Sequence, residues 1–149
     1  MNSHPYLRAY MAGITVPTPL LLVALTLFSV TRLICSVPIL VERIIIFPMA
    51  IVPNLFGIWN MLYLATRART RLPLSIYGAL LPFILAPIGF FVGTSLGFLK
   101  VTGAGLNYFG IVDVPYTTVA LAAPLAPAIY YLIWKYLVGF FNRVEGIAD

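Results

Sequence analysis

Four stretches of this sequence are apolar for close to the ~20 residues that a helix needs to cross about 30 Å of hydrocarbon, and nothing else in the chain restricts its fold as strongly. They run from about Met11 to Thr31, Ile44 to Ala65, Leu74 to Leu99 and Thr117 to Phe141. Strands of a membrane barrel alternate apolar and polar residues, and these tracts do not alternate. The expected fold is therefore an all-α membrane protein: residues 1–149 form a single polytopic domain, a bundle of about four transmembrane helices, several kinked by proline. Composition agrees. Only 9% of residues are charged and 62% are apolar, whereas a soluble domain carries about a quarter charged residues. A small globule buries only about two-thirds of the surface its unfolded chain exposes, so water is the wrong solvent for this chain.

The first tract reads as a retained span. No A-x-A cleavage pattern follows it, and Leu33-Ile34-Cys35 lacks the small residue that precedes a lipid-modified cysteine. Thr18-Pro19 offers a cap followed by a proline at the first helical position, which would start the helix later and carry it past Arg32. Cys35 is the only cysteine, which removes an intrachain disulfide and a cysteine metal cage.

Between the second and third tracts, Thr66-Arg67-Ala68-Arg69-Thr70-Arg71 reads as a basic turn, and arginines in short loops favour the cytoplasmic side. With four spans, both termini share that side. Arg8, Arg67, Arg69, Arg71, Lys135 and Arg143 then lie inside, against Arg32, Arg43 and Lys100 outside. The expectation is a multi-pass protein of the plasma or inner membrane with cytoplasmic termini. The net charge of +5 suits contact with anionic headgroups, and its scatter along the chain argues against nucleic acid as a partner. Tyr6, Tyr10, Trp59, Tyr63, Tyr130, Tyr131, Trp134 and Tyr136 fall mostly near inner ends of spans, where amphipathic rings anchor at headgroup depth.

Gly89, Gly93 and Gly97 recur every fourth residue on the third tract, extending back through Ala86, Pro82 and Gly78. Residues four apart share a helix face, so this spacing predicts a flat surface for close helix packing. The partner is either the fourth span, through Ala120, Pro124 and Ala128, or another chain. Prolines come in pairs: Pro17 and Pro19, Pro48 and Pro53, Pro82 and Pro87, Pro124 and Pro127. Each one inside a helix removes a backbone hydrogen bond and frees a carbonyl that must find another partner in lipid.

Polar groups at membrane depth are the candidate site. Asn54, next to Pro53, would bond across helices or to a freed carbonyl; Asn60 lies nearer the inner end. Arg32 can pair with Glu42 across the short linker, and Lys135 either snorkels to the inner headgroups or faces an anion inside the bundle. The Gly-rich loop from Lys100 to Tyr116 reads as a flexible outer lid or docking surface.

His4 is the only histidine, and two of the four carboxylates fall in the last five residues. That leaves no acid/base pair for hydrolytic chemistry and no cofactor or metal site, so the chain does not read as an enzyme. Two functions remain. One is a structural or accessory subunit, docked on other membrane subunits or on copies of itself. The other is a small homo-oligomeric transporter or channel for an apolar or weakly polar solute or lipid.

Overall fold

The computed structural model describes residues 4–37 and 46–147. It contains four helices long and apolar enough to cross a membrane: Pro5–Ile34, Met49–Thr70, Leu74–Ser95 and Tyr116–Val144. At 1.5 Å per residue, their 22 to 30 residues extend about 33–45 Å, enough for the hydrocarbon layer with some tilt.

Most of these helices are broken where the prolines predict. The first divides into Pro5–Thr15 and Pro17–Ile34, and the third into Leu74–Leu80 and Pro82–Ser95, with proline opening each second segment. The fourth divides at Ala123 and Pro124 and later widens into a π-helical turn over Trp134–Val138. Another π turn, Ile46–Ile51, precedes the regular helix Val52–Thr70. Threonine hydroxyls take up carbonyls one turn back: Thr15 donates to Met11 O, Thr26 to Leu22 O and Thr94 to Phe90 O. Thr18 belongs to this group. It does not cap a helix, because the segment already starts at Pro17, and its hydroxyl donates to Ile14 O at 2.6 Å. The helix does continue past Arg32, to Ile34.

The arginine turn is shorter than expected. Thr66–Thr70 stays helical, and the reversal occupies only residues 71–73. Arg71 ends the helix in a left-handed conformation (φ 52°), its N–H donating to Arg67 O at 3.0 Å, and Pro73 prevents continuation. Arg67 and Arg69 thus stand in the last turn, where the helix dipole favours cations.

Packing is concentrated at the end of the bundle that holds Pro5, Thr70, Leu74 and Val144. Pro5–Thr15 lies along Val52–Thr70, with Gly13 placed against Gly57: a Cβ on Gly13 would stand 2.6 Å from Phe56 O. Leu74–Leu80 packs on the fourth helix in the same way, and a Cβ on Gly78 would fall 2.2 Å from Trp134 Cγ. Phe56, Tyr63, Tyr77, Leu81, Trp134 and Val138 close the core between these pairs. Trp134 is wholly buried, and the Phe56 ring centroid lies 5.8 Å from its own. Several aromatics expected as interfacial anchors are therefore core residues, Tyr63 and Trp134 most completely. Tyr6 and Tyr136 remain exposed.

The expected flexible loop is instead a three-stranded antiparallel meander, β1 (Leu99–Val101), β2 (Gly105–Tyr108) and β3 (Val112–Pro115). Phe109 and Gly110 both have positive φ, as a mirror-image hairpin turn requires, and Ile111 N donates to Tyr108 O at 3.0 Å. The Phe109 ring stacks on Phe98 at 5.4 Å, and Asn107 ties the turn down through Gly110 N and Asp113. At the first hairpin, Gly105 admits no side chain, since a Cβ there would meet Val114 O at 2.2 Å.

Candidate functional site

The strongest polar arrangement in the bundle is one that the sequence only half announces. Asn60 and Asn142, both essentially without solvent exposure, face each other across the second and fourth helices. Asn60 Nδ2 donates to Asn142 Oδ1 at 2.7 Å and Asn142 Nδ2 returns a bond to Asn60 Oδ1 at 3.2 Å. Asn60 Nδ2 also donates to Ala9 O at 2.8 Å, which draws in the first helix. A carboxamide offers two donors and a two-lone-pair acceptor, so a reciprocal pair plus one carbonyl uses most of the capacity of both side chains. Chemically this is a three-helix tie with little left to offer a ligand.

Beside it, the C-terminal end of the fourth helix is closed by a Schellman turn. Gly146 has φ 70°, Ile147 N donates to Asn142 O at 2.8 Å and Gly146 N to Arg143 O at 3.1 Å. Ile147 is buried, and the Arg8 guanidinium donates to Glu145 O at 3.1 Å, so residues near both ends of the chain meet here. Trp59 Nε1 donates to Tyr77 O at 2.7 Å, joining the second and third helices. The Tyr77 hydroxyl in turn is hydrogen-bonded to Thr66 and Thr70. Trp134 Nε1 is the exception, a buried donor with no partner among the described residues.

Asn54 is exposed on the bundle surface. Its Nδ2 donates to Ala50 O at 2.6 Å, one turn back, and its Oδ1 accepts from the Tyr10 hydroxyl of the first helix. It therefore bonds across helices, to Tyr10, while its second bond goes to Ala50 O and not to Met49 O, the carbonyl one turn before Pro53; one N–H still points away from these partners. Lys135 is also exposed, pointing away from the bundle interior, with Nζ 6.0 Å from the Tyr131 ring centroid and 5.3 Å from that of Tyr136. Arg32 lies in the last turn of Pro17–Ile34, while its expected partner Glu42 falls outside the described residues. Asn54 and Lys135 thus keep different partners, Tyr10 and Ala50 for the one and the Tyr131 and Tyr136 rings for the other.

The glycine stripe also divides. Gly97 is not on a helix face at all: with φ 74° it lies just past the end of the third helix, Phe98 N donates to Gly93 O at 3.1 Å and Gly97 N to Thr94 O at 3.2 Å. That is the same Schellman geometry, and it makes Gly97 a terminator. Gly93 is buried, but by its own turn, since a Cβ there would meet Leu99 Cβ and Phe98 Cε2 at 3.0 Å. Gly89 is half-buried. Close helix contact belongs to Gly78, near the start of the same helix, and to Gly13 and Gly57.

Where the third and fourth helices diverge, Ala79, Pro124, Pro127, Ala128, Tyr131 and Leu132 line an open groove of about 490 Å³, almost wholly apolar. Among the described residues, no three His, Cys, Asp or Glu side chains gather in a way that could hold a metal ion. Comparison with protein-family models, with curated proteins and with solved structures found no match, so the functional reading rests on this geometry.

Proposed function

We propose that the chain is a multi-pass membrane protein serving as a structural or accessory subunit of a larger membrane assembly, with its termini and arginine turn in the cytoplasm. The observation that carries this reading is how the buried polar groups are spent. Asn60 and Asn142 bond to each other, and Asn60 also donates to Ala9 O, which fixes helices in place and leaves exposed apolar helix faces as the main surface on offer. Such a body suits holding a neighbour better than transforming a substrate.

Extraction in mild detergent tests the role. A second membrane polypeptide recovered at fixed stoichiometry is expected, whereas a monodisperse homo-oligomer enclosing a cavity would favour the transporter reading. That second reading draws on Asn54, whose exposed carboxamide sits on an apolar helix. Under it, Asn54→Leu abolishes solute uptake; under the accessory reading, assembly and stability survive the change. Orientation has its own probe. Cys35 is the only cysteine, it is free and exposed, and it lies at the opposite end of the first helix from Pro5. A membrane-impermeant maleimide should label it from outside intact cells, and labelling only after lysis would reverse the topology.

A further inference from the structure

The groove between the third and fourth helices does not end blindly. It runs along the fourth helix from Pro124 and Pro127 to Tyr131 and Leu132, and the Lys135 ammonium stands over the Tyr131 ring at its Val144-facing end. An apolar trough is thereby continued by one cation flanked by the phenols of Tyr131 and Tyr136, both able to donate hydrogen bonds. Its volume of about 490 Å³ lies within the ~300–1,000 Å³ typical of small-molecule clefts. A long lysine stem places its charge toward the headgroup layer while its methylenes cover apolar surface.

We infer that this groove and Lys135 together bind one anionic glycerophospholipid, with an acyl chain along Ala79, Pro124, Pro127 and Ala128 and the phosphate on the Lys135 ammonium. The charge decides the occupant. A zwitterionic lipid presents its own cation beside the phosphate and gains less from an isolated ammonium, and an apolar helix from a partner would leave Lys135 without a counter-charge. The inference rests on the chain lying in a bilayer, as proposed above, and it needs no particular protein partner.

The test uses the full chain in nanodiscs of equal parts phosphatidylglycerol and phosphatidylcholine, with retained lipid counted by native mass spectrometry after release. The expected result is one phosphatidylglycerol retained per chain in preference to phosphatidylcholine. Lys135→Gln should lower that preference about fivefold. Ala128→Phe, at an exposed position, should fill the groove and reduce retention of both lipids while leaving the charge in place. Lys100→Gln, on the meander, should change nothing. Equal retention of the two lipids, or an unaltered preference in Lys135→Gln, overturns the inference. So does a chain-to-chain dimer that Ala128→Phe dissociates, because a second copy would then own the groove. Failure to enter nanodiscs at all would instead strike the membrane reading, which separates the two.

Discussion

The two halves of this bundle are drawn from the same apolar helices, yet the main core cluster lies in only one. At the end with Pro5, Thr70, Leu74 and Val144, glycines bring helices together and aromatic rings fill the space between them. Toward the meander the helices separate: Pro17 is the only buried residue in Pro17–Ile34, and none is buried in Tyr116–Ala122 or Leu125–Ile133. Leu33 and Leu121 are 79% and 75% exposed. Pro17–Ile34 and Pro82–Ser95 are in fact more apolar than Pro5–Thr15 and Val52–Thr70, so hydrophobicity cannot be what selects the packed half. In lipid, helix association comes from shape and hydrogen bonding, because the tails are as apolar as leucine. The packed half has both, through Gly13, Gly57 and Gly78 and the Asn60–Asn142 tie; the open half offers leucine, phenylalanine and proline on its exposed faces.

That contrast can be attacked directly. Trp134→Ala should be the most damaging change, costing about 3 kcal/mol in reversible unfolding in detergent micelles, mainly through the cavity it leaves. Trp134→Phe should cost far less, because it also removes the unpartnered indole donor. Phe91→Ala, at 70% exposure in the open half, should stay within ~0.5 kcal/mol, and a cost equal to that of Trp134→Ala would erase the distinction between the halves. Next comes Gly78→Ala, expected to cost about 1–3 kcal/mol by forcing the third and fourth helices apart, while Gly103→Ala, with no atom within 4 Å, is neutral. Gly97→Ala should cost about 1–2 kcal/mol through its positive φ, and hydrogen exchange should show the loss confined to the end of the third helix. Smallest is the coupling between Asn60→Leu and Asn142→Leu, about 0.6–1.7 kcal/mol in a double-mutant cycle. Zero coupling would mean that the tie contributes nothing beyond filling space.

Run length makes the four helices legible, since ~20 apolar residues have few other uses, and proline marks most of their breaks. The glycine stripe misleads at one end because a spacing of four does not distinguish a helix face from a helix stop. The sign of a stop lies in the residues beyond Gly97: Lys100-Val101-Thr102, Leu106-Asn107-Tyr108 and Val112-Asp113-Val114 alternate in the manner of strands, and the meander is built from them. Asn60 reads in sequence as a lone polar residue, weaker than Asn54 because it lies nearer a helix end. Its importance depends on Asn142, and register between residues 82 apart has no local signature. Lys135 and the groove are separate observations in sequence, a cation and a pair of prolines, until the fourth helix sets them in line.

The distance along the chain between those two asparagines also imposes an order on biogenesis. When Asn60 leaves the ribosome, Ala9 O already exists to receive one of its hydrogens, but its carbonyl oxygen must wait for a donor 82 residues downstream. At ~5–20 residues per second that interval lasts roughly 4–16 s. During it the nascent hairpin carries a polar group that stays unmet until the fourth helix arrives.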